Sequence, residues 1–203
     1  MLEPAVVLLG VAVTWLEVWA FVLALACVIC NVLEIHWGWP LAVVSSLLYA
    51  WLFYASKLYG EGGLQLFFAG TSVWGWWQWL FGKRAARDAA PSRLAVARLG
   101  PRLRAMTVLA WIVAWPMTGL LLARATDTDV PFLDAFPTVG SVIGQVLLGR
   151  KFIENWLVWL IVNVASVGVF VYKGLWLTAL LYVVFAVLAV AGWMRWKRAL
   201  VSP

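Results

Sequence analysis

A stripe of polar and aromatic residues interrupts an apolar segment near residue 160. Trp156, Trp159, Asn163, Ser166 and Phe170 recur at intervals of three or four, so one face of a helix would carry all five. Amide, hydroxyl and aromatic groups can hydrogen-bond and stack on an uncharged or cationic aromatic ligand. The stripe predicts a ligand surface; the alternative is that its polar groups only bond neighbouring helices.

Polar groups at similar depth in other apolar segments are candidate partners for this stripe. They are amides, hydroxyls and two phenols, and none of them is charged. An unsatisfied polar group inside hydrocarbon is costly, so these groups should face protein or a substrate path. The predicted binding residues are Asn163, Trp159, Gln65, Gln145, Tyr182, Tyr49, Ser46 and Ser72.

Chemistry that needs charged or metal-binding groups finds little support. Cys27 and Cys30 lie in an apolar segment without nearby histidine ligands, and His36 has no second histidine or carboxylate close in sequence. Glu17 and Asp134 are better explained as helix-start carboxylates than as a proton relay. We therefore predict no enzyme, no cofactor and no metal site, with a membrane-embedded enzyme or sensor as the rival class.

The composition requires a membrane around the protein. Of 203 residues, 65% are hydrophobic and only 12% are charged, and the mean hydropathy is +0.94, which excludes an ordinary soluble domain. Residues 1–14 are too short to cross and should lie at the interface. Seven segments are long enough to span the bilayer, and they are 15–33, 38–56, 63–82, 105–123, 132–149, 152–172 and 174–194.

Basic residues predict the orientation. Twelve Lys and Arg residues fall on one side of the seven spans, seven of them in the loop 83–104, and only Lys57, Arg124 and Lys173 fall on the other. Because Lys and Arg are retained on the cytoplasmic side, the amino terminus should be outside and the carboxyl terminus inside. The basic loop is interpreted as a topology and lipid-headgroup signal, and nucleic acid is not expected as a partner.

An internal repeat relates the two halves of the chain. Shifting the sequence by 117 residues aligns 39–79 with 156–196 without a gap, and ten of these 41 positions are identical. Both copies contain Gly-Trp-x-x-Trp, at Gly75 and at Gly192. This pattern predicts an all-α membrane protein with parallel three-helix repeats at 15–82 and 132–196, joined by the loop and a linker helix at 105–123. Parallel repeats are a transporter architecture.

Several of these motifs resemble one family. The segments Leu58-Tyr59, Leu64-Gln65 and Gly75-Trp76-x-x-Trp79 come first, followed by Glu154-x-Trp156-x-x-Trp159-x-x-x-Asn163 and Gly192-Trp193-x-x-Trp196. In order and spacing they are similar to the PnuC family of bacterial vitamin transporters, from about residue 16 to residue 198.

The resemblance implies a SWEET-like fold in a bacterial inner membrane, and facilitated uptake of nicotinamide riboside that is trapped by cytoplasmic phosphorylation. Related branches carry thiamine or riboflavin, so these substrates remain alternatives. The resemblance supports Gln65, Trp156, Trp159 and Asn163 as pocket or gate positions. The expected partners are the vitamin and the lipid bilayer, and the protein is expected as a monomer or a homotrimer. The predicted gate or interface residues are Trp156, Trp76, Trp79 and Trp193.

Overall fold

The computed structural model describes residues 4–8, 11–55, 59–86, 89–126, 129–172 and 176–200. It divides into two compact units, an amino-terminal unit, Met1–Gly82, and a carboxyl-terminal unit, Lys83–Pro203. The amino-terminal unit contains β1 (Pro4–Leu8), β2 (Val11–Thr14), α1 (Trp15–Val32), α2 (Gly38–Ala55) and α3 (Tyr59–Phe81). The carboxyl-terminal unit contains β3 (Lys83–Ala86), β4 (Ala89–Arg93), α4 (Pro101–Ala125), α5 (Pro131–Gly149), α6 (Asn155–Tyr172) and α7 (Trp176–Ala199).

The seven helices in the described part of the chain agree with the predicted all-α membrane fold. Several helices continue beyond the apolar run that predicted them: α3 begins four residues earlier, α4 begins four residues earlier at Pro101, and α7 ends five residues later at Ala199. Hydropathy identifies only the part that can lie in hydrocarbon, whereas a helix continues into water for as long as its backbone bonds are satisfied. Pro101 suits a first helical position because its missing N–H has no intrahelical partner there.

Two segments outside the predicted spans contain short antiparallel hairpins. β1 pairs with β2 in the segment assigned to the interface, and β3 pairs with β4 inside the loop 83–104. The last four residues of that predicted loop are the first turn of α4. The valines of β1 and β2 have high strand propensity, which the hydropathy argument did not take into account.

By length and composition alone, four of the described helices could cross a membrane. They are Pro101–Ala125, Pro131–Gly149, Asn155–Tyr172 and Ala179–Ala199, and the apolar stretch Phe21–Val32 is shorter. Only 6% of the apolar window of α4 is buried in the protein, compared with 44% in α5. Because so large an exposed apolar surface is unfavourable in water, the outer face of α4 requires a non-aqueous environment.

The helices pack in the same sequential manner within each unit. α2 contacts both α1 and α3, and α6 contacts both α5 and α7. α4 packs against α5, where Trp115 donates its indole N–H to the Phe132 carbonyl at 2.7 Å and Trp111 donates to the Phe136 carbonyl at 3.3 Å. These bonds attach the linker helix to the first helix that follows it.

The turn between α1 and α2 is a Schellman motif with an unusual residue. Glu34 has φ of 59°, a left-handed conformation that normally favours glycine. The Ile35 N–H donates to the Cys30 carbonyl at 2.8 Å, and the Glu34 N–H donates to the Asn31 carbonyl at 3.2 Å. These bonds satisfy carbonyls that the end of α1 would otherwise leave without partners.

The turn between α5 and α6 contains the same motif 117 residues later. Lys151 has φ of 52°, and the Phe152 N–H donates to the Leu147 carbonyl at 2.9 Å. The Lys151 N–H donates to the Leu148 carbonyl, also at 2.9 Å. A left-handed non-glycine residue and its two flanking bonds therefore occur at the same position of both units.

Candidate functional site

The polar stripe predicted on α6 is buried, and a polar residue of the neighbouring helix is buried too. Asn163 is 5% exposed and Ser166 is 4% exposed on α6, while Gln145 on α5 is 8% exposed. The α6 sequence contains no Asp, Glu, Lys or Arg. The α5 and α6 pair therefore buries amides and a hydroxyl without a charge on α6, and such groups hydrogen-bond to protein, water or ligand when they are buried.

Trp159 lies at the contact between α5 and α6. A Cβ atom at Gly144 would lie 3.0 Å from its indole ring, so the absence of a side chain at this glycine lets the ring approach α5. Gln145 is the next residue of α5. Trp159 also packs on an apolar cluster, which is formed by Leu99, Leu147, Val158 and Val162. The half-buried ring has both a packing role and a part that remains accessible.

Tyr182 belongs to an aromatic group between α6 and α7. Its ring centroid is 5.0 Å from that of Phe170 and 5.9 Å from that of Phe185. Phe170 lies two turns after Asn163 on the same stripe of α6. Tyr182 is therefore joined to the predicted ligand stripe by an aromatic contact.

Two of the four binding residues predicted in the amino-terminal unit are buried and two are half-buried, as in the carboxyl-terminal unit. Ser46 on α2 is 9% exposed and Ser72 on α3 is 1% exposed, whereas Tyr49 and Gln65 are half-buried. The eight predicted binding residues are thus divided equally between the two units. That they line one pocket remains a prediction.

Trp79, a predicted gate or interface residue, belongs to a tryptophan pair in the amino-terminal unit. Its ring centroid lies 5.5 Å from that of Trp39, at an interplanar angle of 81°. A Cβ atom at Gly75 would overlap the Trp39 ring, so α2 and α3 can pack this closely only with glycine at that position.

Trp156, another predicted gate or interface residue, forms the corresponding pair in the carboxyl-terminal unit. Its ring centroid lies 5.4 Å from that of Trp196 at 88°, and a Cβ atom at Gly192 would overlap the Trp156 ring. All three positions lie 117 residues after those of the first pair. In the part of the chain that the structure describes, the Nε1 atoms of Trp156 and Trp39 are buried without a hydrogen-bond partner. Most buried polar side-chain atoms have a hydrogen-bond partner, so these two indole N–H groups are exceptions that the two units share.

The remaining predicted gate residues are half-buried. Trp76 donates its indole N–H to Nδ1 of His36 at 3.4 Å, and its ring lies 6.4 Å from that of Trp37. Trp193 is the second residue of the second Gly-Trp-x-x-Trp motif, three residues before Trp196. The partner of His36, which lies in the turn before α2, could not be inferred from spacing because it is 40 residues away on α3.

Glu154 is the main group whose role the sequence did not reveal. It is 8% exposed, and its carboxylate contacts Arg104 at 2.9 Å and accepts the Leu99 N–H at 3.0 Å. A carboxylate directly before a helix is a signal that could have identified it as a helix-start residue. Its partners lie about 50 residues away and could not be inferred from spacing.

Comparison with known proteins identifies the class of this chain. It is 24% identical over 209 residues to the nicotinamide riboside transporter PnuC of Escherichia coli, which covers 92% of this chain and 87% of that protein. It is 27% identical over 202 residues to the riboflavin/roseoflavin transporter RibM of Streptomyces davaonensis, covering 97% and 92% respectively.

The fold is also similar to a solved structure. The crystal structure of the vitamin B3 transporter PnuC matches with a TM-score of 0.72 and 25% identity, over 91% of this chain and 81% of that one. These relatives are transporters, which agrees with the prediction that the chain is not an enzyme. Residues 14–198 match the nicotinamide mononucleotide transporter family, and the chain belongs to that family of multi-pass membrane transporters.

Proposed function

We propose that this protein is a uniporter that imports nicotinamide riboside. The observation that carries the proposal is the buried, uncharged set Gln145, Asn163 and Ser166 beside Trp159 on two packed helices. Nicotinamide riboside has a carboxamide, ribose hydroxyls and a cationic pyridinium ring. Amide side chains can pair with the carboxamide and hydroxyls, and an indole face attracts the cationic ring without a full counter-charge.

The proposed mechanism is alternating access between two parallel three-helix repeats joined by α4. Its support is local: the Schellman turn and the Trp-Gly-Trp packing both recur at an offset of 117 residues. A carrier whose halves have the same construction can expose a midplane site to either side by rocking one half against the other. Substrate binding then shifts the balance between outward-open and inward-open states.

Ion coupling is not part of the proposal. The carboxylates Glu17 and Asp134 lie near helix starts, and the α6 stripe contains no titratable group. A uniporter only equilibrates its substrate, so net accumulation requires removal of that substrate inside. Phosphorylation in the cytoplasm would add negative charge and prevent return through an uncharged site.

The protein is proposed to reside in a bacterial inner membrane, with its amino terminus outside and its carboxyl terminus in the cytoplasm. The basic residues Arg150 and Lys151 precede α6, and Lys197 and Arg198 end α7, which agrees with the retention of positive charge inside. The transport unit is a monomer or one protomer of a homotrimer. Labelling of single cysteines placed at each terminus of the protein in intact cells tests the orientation.

Uptake into sealed proteoliposomes tests the transport mechanism. Radiolabelled nicotinamide riboside should equilibrate across the membrane without a gradient, and a proton or sodium gradient should leave the initial rate unchanged. Strict dependence on either gradient would contradict uniport. Asn163→Ala and Trp159→Ala should weaken substrate binding while the protein still inserts, because they remove an amide and an aromatic face of the proposed site. Unchanged affinity in both variants would remove the site assignment.

Riboflavin is the second candidate substrate. The observation in its favour is that the chain covers 92% of the riboflavin/roseoflavin transporter RibM at 27% identity. Competition separates the two candidates: excess riboflavin should leave the uptake of radiolabelled nicotinamide riboside unchanged, while excess unlabelled nicotinamide riboside should suppress it. Uptake of radiolabelled riboflavin in place of nicotinamide riboside would replace the first substrate with the second.

A further inference from the structure

The segment that precedes α4 is fastened to the turn that precedes α6. In this latch segment, residues 94–100, the Ala97 N–H donates to the Lys151 carbonyl at 3.0 Å, and the Ile153 N–H donates to the Ala97 carbonyl at 2.9 Å. Ala97 and Phe152 thereby form a parallel bridge. Leu99 inserts into the apolar cluster on which Trp159 packs. Part of the predicted cytoplasmic loop is therefore an ordered component of the carboxyl-terminal unit.

Glu154 joins this latch segment directly to α6. Its own carbonyl accepts the Val158 N–H at 3.1 Å, so its backbone begins the helix. Its side chain leaves the helix and reaches the latch segment, where Oε2 accepts the Leu99 N–H at 3.0 Å and Oε1 contacts Arg104 at 2.9 Å. One residue thus connects the first turn of α6 with the latch segment and the start of α4.

The two bonds of the carboxylate are not equivalent. The Arg104 side chain is 56% exposed, and ion pairs of exposed side chains contribute little to stability. The Leu99 N–H belongs to a residue that is only 6% exposed, so water cannot readily replace its acceptor. Both contacts are charge-assisted, but only the buried amide is left without a partner when the carboxylate is removed. Loss of the acceptor for the Leu99 N–H should therefore weaken the attachment of the latch segment to α6 more than loss of the ion pair with Arg104.

We propose that Glu154 is a positioning residue for transport, and that the latch segment stays closed on it throughout the transport cycle. The bond to Leu99 holds the beginning of α6 against the latch segment, two residues before Trp156 and five before Trp159. The equivalent residue of the other repeat is Trp37, which is 61% exposed. The carboxylate that joins the helix start to the latch segment therefore has no counterpart at the equivalent position of the first repeat. The inference rests on the proposed transport function.

Two substitutions test the positioning role. Glu154→Ala removes both bonds, whereas Glu154→Gln keeps an oxygen acceptor for the Leu99 N–H and loses the charge and the bond to Arg104. At equal amounts in the membrane, we expect Glu154→Ala to raise the half-saturation concentration for uptake about tenfold, with little change in maximal rate, and Glu154→Gln to stay within about twofold of wild type. A wild-type half-saturation concentration in Glu154→Ala would overturn the proposal.

Amide hydrogen exchange at Leu99 separates a failure of this inference from a failure of the proposed function. Exchange should accelerate in Glu154→Ala and remain slow in Glu154→Gln, whichever vitamin is transported. Fast exchange in wild type would overturn the latch, while absence of nicotinamide riboside uptake with slow exchange would overturn only the substrate.

A disulfide tests whether the latch segment stays closed. Ala97→Cys with Phe152→Cys, in a background without Cys27 and Cys30, places thiols at the two residues of the parallel bridge. Oxidation should form the cross-link and leave uptake within about twofold of the reduced protein, whereas a latch that must open would be blocked. Arg98→Cys with Phe152→Cys is the matched control, because successive strand residues point to opposite sides and should not cross-link. Loss of uptake that a reductant restores would overturn the proposal.

Discussion

Adding one methyl group at Gly192 should disrupt the packing between α6 and α7. A Cβ atom there would overlap the ring of Trp156, which is 3% exposed and has little space to move. Overpacking of a well-packed interior costs about 1–3 kcal/mol, while alanine in place of glycine in a helix contributes about 1 kcal/mol in the opposite direction. The net change in the free energy of unfolding therefore depends on how far the Trp156 ring can move away from the added Cβ atom.

Gly168 in α6 is the matched control, because a Cβ atom there would meet nothing within 4 Å. Gly168→Ala should increase the free energy of unfolding by up to about 1 kcal/mol, so the two variants should differ by about 1–3 kcal/mol. In a chain of this size that difference corresponds to about 2–12 °C in the apparent melting temperature.

Thermal unfolding of the purified protein in detergent or lipid measures this difference. Gly75→Ala provides an independent repetition, since its Cβ atom would overlap the Trp39 ring, and Gly70 in α3 is its control with open space around it. Both overlapping variants should melt below their controls. Equal melting temperatures for Gly192→Ala and Gly168→Ala would refute the argument that glycine is required by the tryptophan ring.

Three further substitutions should have graded effects. Gly144→Ala should raise the half-saturation concentration for uptake several-fold, because a Cβ atom 3.0 Å from Trp159 forces the ring to shift; unchanged uptake kinetics would contradict this. Trp115→Phe should lower the free energy of unfolding by about 1 kcal/mol, since it removes the 2.7 Å bond to the Phe132 carbonyl. Trp76→Phe removes a longer bond, of 3.4 Å, and should lower the free energy of unfolding by less than about 0.5 kcal/mol. Thermal melts of Trp115→Phe and Trp76→Phe measure the two changes.

Apolar segment lengths predicted most of the helices, because a bilayer imposes a minimum length on each crossing. Their ends were less predictable. α4 begins at Pro101 and α7 continues to Ala199 because backbone bonding and capping, not hydropathy, decide where a helix stops. The strands of residues 4–14 and 83–93 were missed because a short hairpin leaves a weak signal beside strong hydropathy.

The candidate site was predictable in residue type more than in arrangement. Spacing alone placed Trp159, Asn163 and Ser166 on one face of α6, and in the structure Asn163 and Ser166 are buried and Trp159 is half-buried. The close packing of the Trp159 ring against Gly144 was not predictable, because it depends on the distance between α5 and α6. The division of the eight binding residues between two units leaves their common pocket as a proposal.

The sequence by itself determined that the chain must live in a bilayer, and that two segments 117 residues apart share a pattern. Both follow from local quantities, hydropathy and periodicity, that any stretch of chain carries with it. Only the tertiary structure decided that Trp156 rests on Gly192, that His36 accepts a bond from Trp76, and that the Glu154 carboxylate holds Leu99. Each of these contacts joins residues at least 36 positions apart, and such distant pairs meet only after the helices have packed.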